Sequence, residues 1–143
     1  MTRTKESRHT SNARGQPLPR KSILLADDQK DEREIQRALL EHLGYRVEEA
    51  TDGEMALEMA RELSPDLILL DIAMPKVDGL EVCRTLRADP RTSSTAVLFY
   101  TASAAAENDE CVRTAGGNGI LVKPVEPKDV ADAIVDLIGP ANR

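Results

Sequence analysis

The 143-residue chain has no tryptophan, two tyrosines and one phenylalanine. Its core must therefore be built from Leu, Ile, Val, Ala and Met. The near-absence of aromatics also argues against nucleic-acid binding by base stacking. No apolar run approaches the ~20 residues needed to cross a bilayer. The first residues offer no apolar segment that could act as a secretion signal. The two cysteines, Cys83 and Cys111, lack metal-ligand spacing, so they read as small apolar residues in a reducing cytosol. No glycine-rich phosphate loop follows the first apolar run, which argues against a nucleotide-binding reading.

Charge is abundant but uneven. The net charge is −6. Residues 1–21 carry Arg3, Lys5, Arg8, Arg14, Arg20 and Lys21 against Glu6, a net of +5 that leaves −11 for the rest. Residues 1–21 also lack apolar periodicity and read as a basic flexible tail. A body of −11 argues against direct binding to a polyanion.

From Ser22 the pattern becomes regular. Ile23–Ala26 is a short apolar run closed by Asp27 and Asp28. Ile35, Leu39, Leu40 and Leu43 recur at helical spacing, and Gly44 stops that helix. Further strands are expected at 46–51, 67–72, 96–101 and 120–122. The helices between and after them carry Met55 to Leu63, Leu80 to Leu86, residues 104–115, and Val130 to Ile138. This is βα repeated five times. Short continuous apolar strands between amphipathic helices imply a parallel sheet covered on both faces. The expected domain runs over 22–139, with 140–143 as a C-terminal end and no output domain.

The run Leu67–Leu70 stops on Asp71, a carboxylate that is costly to bury ionised. Parallel strands share one C-terminal edge, where open α/β sheets bind ligands. Asp27 and Asp28 end the first strand, Asp71 the third, Thr101 the fourth and Lys123 the fifth. Two carboxylates ~5 Å apart repel by roughly 3 kcal/mol at an effective dielectric of ~20. Three such groups raise one another's pKa or recruit a cation; Lys123 can offset one charge and a hard divalent cation more, and Mg²⁺ favours a few carboxylates plus water. An acidic pocket holding Mg²⁺, beside an ammonium and a hydroxyl, suits a phosphoryl group. Singly, each residue has a plain structural use: helix cap, turn, strand former or loop. Their order at successive strand ends carries the signal.

The motifs LLADD (24–28), LLDIAMPKVDG (69–79), YTAS (100–103) and GILVKP (119–124) resemble those of the response regulator receiver domains of two-component signalling, of the stand-alone chemotaxis-regulator kind. The resemblance covers about residues 22–139. It implies a flavodoxin-like (βα)5 fold with strand order 2-1-3-4-5. It implies that Asp71 is the phosphoacceptor, served by a histidine kinase or histidine phosphotransfer protein. His9 and His42 of this chain are poorly placed for that role. It also implies that Asp28, Asp71 and the Ala73 backbone carbonyl hold Mg²⁺, with Asp27 acting through a water. Thr101 and Lys123 would contact the phosphoryl group, and the Lys123–Pro124 peptide would be cis. Phosphorylation would draw Thr101 and Lys123 inward and change the face formed by the fourth helix, fifth strand and fifth helix, where a downstream protein binds.

Two positions depart from the family. Ile120 stands where a switching Phe or Tyr is common, and Tyr100, on another strand, does not replace it. Ala73 and Ser103 occupy the positions that tune self-dephosphorylation, and Ala73 has no polar side-chain atom to orient a water. Ala73 also disfavours a haloacid-dehalogenase-like phosphohydrolase, which needs a second Asp there. The expected function is a cytoplasmic, single-domain phosphoacceptor switch, with at most Mg²⁺-dependent self-phosphorylation and self-dephosphorylation. The alternatives are a phosphorylation-independent adaptor, or the receiver fragment of a DNA-binding regulator.

Overall fold

In a computed structural model of the chain, residues 20–102 and 106–142 are described, without the side chains of 106–109. Most of the basic tail and Ser103 lie outside the described residues. Ten elements alternate: β1 (Ser22–Ala26), α1 (Lys30–His42), β2 (Arg46–Ala50), α2 (Gly53–Leu63), β3 (Leu67–Asp71), α3 (Gly79–Ala88), β4 (Ala96–Thr101), α4 (Ala106–Ala115), β5 (Gly119–Val122) and α5 (Pro127–Ile138). The strands form one sheet in the order β2-β1-β3-β4-β5, and every pairing is parallel. This is the flavodoxin-like order that the family resemblance implies.

Strand side chains alternate between faces, and the two faces of this sheet bury different sets. Leu24, Ala26, Ile68, Leu70, Val97 and Phe99 pack with residues of α2, α3 and α4, such as Ala56, Val82 and Val112. Ile23, Leu25, Leu67, Leu69, Leu98 and Tyr100 pack with Leu40 of α1 and with Val130 and Ile134 of α5. All five residues of β3 are buried, as a central strand covered on both faces requires.

Local chemistry fixes the helix ends. The Asp52 carboxylate accepts from Met55 N at 2.8 Å, and Asp78 accepts from Glu81 N at 2.9 Å. Each satisfies an N–H that a helix start leaves open. Pro127 begins α5, where a missing N–H costs nothing. β3 ends at Asp71, one residue before the expected Ile72, and β2 ends at Ala50, before Thr51. Beyond Asp71 the chain turns at once, and Gly79 N donates back to Ile72 O at 2.8 Å.

The two ends of the domain meet at the start of β1. Arg20 pairs with Asn142 in an isolated antiparallel bridge, and Lys21 N donates to Ala141 O at 2.7 Å. The Lys21 ammonium donates to Ile138 O, near the C-terminal end of α5, where a cation is favoured.

Candidate functional site: an acidic rim at the sheet edge

Parity along the strands decides which polar residues meet. Leu25, Leu69, Leu98 and Leu121 lie on the α1/α5 side of the sheet. Two residues further along their strands stand Asp27, Asp71, Tyr100 and Lys123, which therefore share that side. Asp71 and Tyr100 are direct register partners. Thr101, one residue on, has the opposite parity.

The three acids converge as expected. One carboxylate oxygen from each of Asp27, Asp28 and Asp71 lies within 4.8 Å of the other two. Asp27 is 0% exposed and Asp71 5% exposed. The Lys123 ammonium lies 3.4 Å from Asp71 Oδ2 and 4.0 Å from Asp27 Oδ2. Asp71 Oδ1 accepts from Ala73 N at 3.2 Å, so the turn after β3 holds the carboxylate in place. Asp27 Oδ1 accepts from Gln29 N at 2.9 Å. The Lys123–Pro124 peptide is cis.

Burial dominates the titration of these acids. It pushes the Asp27 carboxyl up to about 6, against the opposing hydrogen bonds from Tyr100 and from the Gln29 backbone. It raises Asp71 as well, against the attraction of Lys123. Desolvation alone would lower the Lys123 pKa, but hydrogen bonding to Glu32 and the charges of Asp71 and Asp27 raise it.

The other expected site residues are placed as follows. Thr101 closes β4 and is 4% exposed. Ala73 is exposed in the turn beyond Asp71. Ile120 packs against the α2/α3/α4-side core, away from the face that carries Lys123. Of the two histidines, His42 ends α1, and His9 lies outside the described residues.

Two contributors were not anticipated. The Tyr100 hydroxyl donates to Asp27 Oδ2, and its ring centroid lies 4.4 Å from Lys123 Nζ, within cation–π range. Glu32, in the first turn of α1, accepts from Lys123 Nζ. The parity rule could have found Tyr100, since it is in phase with Asp71. Glu32 gave no signal, because an acid in the first turn of a helix is ordinary.

Chemically, the rim offers three carboxylates whose oxygens are hard acceptors. Their spacing lets a small divalent cation bind with water completing its shell. Asp27, buried and without enough positive charge around it, is the kind of group such a cation relieves.

Comparison with known proteins agrees with this geometry. Residues 23–135 match the response regulator receiver domain family. The chain is 34% identical over 121 residues to the polar-differentiation response regulator DivK of Brucella anthropi, covering 85% of this chain and 98% of DivK. It is 35% identical over 126 residues to the DNA-binding dual master transcriptional regulator RpaA of Synechocystis, covering 88% of this chain but only 52% of RpaA. Among solved structures, Vibrio cholerae CheY4 superposes with a TM-score of 0.78 at 29% identity, over 82% of this chain and 98% of CheY4. The receiver domain of the Pseudomonas aeruginosa sensor histidine kinase PA1611, which has a magnesium ion in its active-site cleft, superposes with a TM-score of 0.78 at 31% identity, over 83% of this chain and 98% of that one. The acidic set Asp27–Asp28–Asp71 is of the kind found in phosphotransfer signalling regulators. The chain belongs to the response regulator receiver domain family.

Proposed function

We propose that Asp71 is the phosphoacceptor of a single-domain response regulator. A histidine kinase or a histidine phosphotransfer protein supplies the phosphoryl group. An Asp71 carboxylate oxygen attacks phosphorus, forming an acyl phosphate. The P–N bond to the donor imidazole breaks, and the released ring nitrogen takes up a proton. The observation that carries this reading is the placement of Asp71: buried, at the C-terminal edge of the central strand, 3.4 Å from the Lys123 ammonium and among two further carboxylates.

Mg²⁺ suits this donor set and supplies charge neutralisation for the incoming phosphoryl group. Asp28, Asp71 and the Ala73 carbonyl would hold it, with Asp27 linked through a water. Thr101 and Lys123 contact the phosphoryl oxygens. Ala73 offers no side-chain group to orient an attacking water, so spontaneous phosphate loss is slow. Rapid loss from the purified protein without a phosphatase contradicts that.

The downstream partner binds the face of α4, β5 and α5. β5 is an edge strand, and Val122 and Val135 there are 42% and 46% exposed. Ile120 leaves the usual aromatic switch without its ring, so coupling to that face runs through Thr101 and Lys123. No described helix is long and apolar enough to cross a membrane, in keeping with a cytoplasmic protein.

The deciding experiment treats wild type and Asp71→Asn with a small-molecule phosphodonor and Mg²⁺, read by intact mass. One phosphate gained only by wild type supports the assignment. Equal labelling of both removes Asp71 from the role. The RpaA match, over half of that regulator, favours a second reading as the receiver part of a DNA-binding regulator. Salt-sensitive DNA binding that disappears on deleting residues 1–21 would support it.

A further inference from the structure

The Lys123 ammonium is shared. It donates to Glu32 Oε1, its nearest acid. Asp71 Oδ2 follows at 3.4 Å and Asp27 Oδ2 at 4.0 Å, with the Tyr100 ring below it. Glu32 stands apart from the other acids because it comes from a covering helix and not from a strand end. It reaches a residue 91 positions away in the chain. An acid in a first helical turn is already favoured by the helix dipole when it faces water, so this reach is not needed to stabilise α1. Its carboxyl is held below the ordinary range: burial is the largest influence and would raise it, but the hydrogen bonds with Lys123 and Asp27 and the Lys123 charge together outweigh burial.

We propose that Glu32 is a positioning residue that latches Lys123 in the resting state and slows phosphoryl uptake at Asp71. An ammonium has three N–H groups. Glu32 and Asp71 already engage it, with Asp27 close by. A phosphoryl group arriving on Asp71 must draw Lys123 toward its own oxygens, and the contact to Glu32 is the one in the way. The latch deepens the assignment of Asp71 as phosphoacceptor and rests on it.

The length of the side chain provides the test. Glu32→Asp keeps the charge on the same turn of α1 but withdraws the carboxylate by one methylene, out of reach of Lys123. Glu32→Ala removes both charge and contact. With a small phosphodonor and Mg²⁺, both variants should label Asp71 faster than wild type by about 2–5-fold, the scale of losing one partly exposed ion pair. A second reading needs neither metal nor donor. In ¹⁵N-labelled protein, the ammonium protons of Lys123 should exchange with water several-fold faster in both variants. Labelling and exchange unchanged in both variants overturn the latch. So does acceleration by Glu32→Ala alone, because that result assigns the effect to net charge. Absence of any label on folded wild type overturns the Asp71 assignment and the latch with it, whereas normal wild-type labelling with unaltered variants overturns the latch alone.

Discussion

The Tyr100 hydroxyl donates its hydrogen bond to Oδ2 of Asp27, a carboxylate with no solvent exposure. Without that donor, Asp27 keeps the Gln29 N–H at 2.9 Å and the more distant Lys123. Tyr100→Phe leaves the ring under the ammonium and removes only the oxygen. It should cost about 1–3 kcal/mol, the range for stranding a buried acceptor. Urea unfolding of the metal-free protein measures this directly, and an unchanged midpoint would show that Asp27 is satisfied without the phenol.

Asp27 also makes the metal-free protein sensitive to pH. Its carboxyl titrates at about 6 when folded, against 3.8 for the ordinary group. The folded chain thus binds this proton more tightly than the unfolded chain. The corresponding stability is complete below about 3.8 and is lost as the pH rises toward about 6. Glu32 works in the opposite sense, since its folded pKa is lowered. The comparison is therefore wild type against Asp27→Asn, melted in chelator at pH 4.5 and pH 7. Wild type should lose stability relative to the variant by on the order of 1–2 kcal/mol between the two. Added Mg²⁺ should recover it at pH 7, and calorimetry should show weaker Mg²⁺ uptake as the pH falls below about 6.

Gly79 starts α3 directly against the acceptor turn. A Cβ there would lie 2.3 Å from the Asp71 carbonyl oxygen and 2.9 Å from the Ile72 Cα. Both obstacles are backbone and cannot swing aside. Gly79→Ala should therefore cost about 1–3 kcal/mol and slow the labelling of Asp71. Thermal melts and intact-mass time courses report the two effects separately. Normal labelling in a destabilised variant would show that the acceptor turn tolerates the shift.

Arg87 ties three segments together on the α3 side. Its Nε donates to Gly116 O at 2.9 Å, and Nη1 to Thr95 O at 2.6 Å and Ser93 O at 3.1 Å. Nη2 donates to Asn118 Oδ1 at 2.9 Å, an oxygen that also accepts from Val97 N at 2.7 Å. Arg87→Ala should destabilise by about 2–3 kcal/mol, since charged hydrogen bonds to several carbonyls disappear together. Arg87→Lys should recover little, because an ammonium cannot reproduce the planar fork. Denaturant melts of the two variants decide this.

The fold was readable because most of its strands are apolar runs, the edge strand β2 with Arg46, Glu48 and Glu49 being the exception, and the helices between them carry apolar faces. β4 spans the expected residues, 96–101. The helix starts were harder. Gly53 and Gly79 read from the sequence as turn or helix-boundary residues, and each is the first residue of a helix, behind an aspartate whose carboxylate caps it. Glycine's poor helix propensity conceals the first turn. Asp27, Asp28, Asp71, Thr101 and Lys123 were legible because strand ends in a parallel sheet fall on one edge. Tyr100 was within reach of the strand parity rule, but Glu32 was not, since it sits on a helix and its partner is 91 residues distant. Pairings at that separation follow from strand order and helix placement, which a linear reading does not supply.

The bridge between Arg20 and Asn142 also bears on how the protein can be handled. It sits at the floor of the sheet, one full strand of five residues, or ~16 Å, below the carboxylates. A fluorophore or other label attached at either residue sits at that floor. Cargo at both points would share one side of the molecule, close enough together for energy transfer between two dyes, while the opening to Asp71 stays clear for a docking kinase.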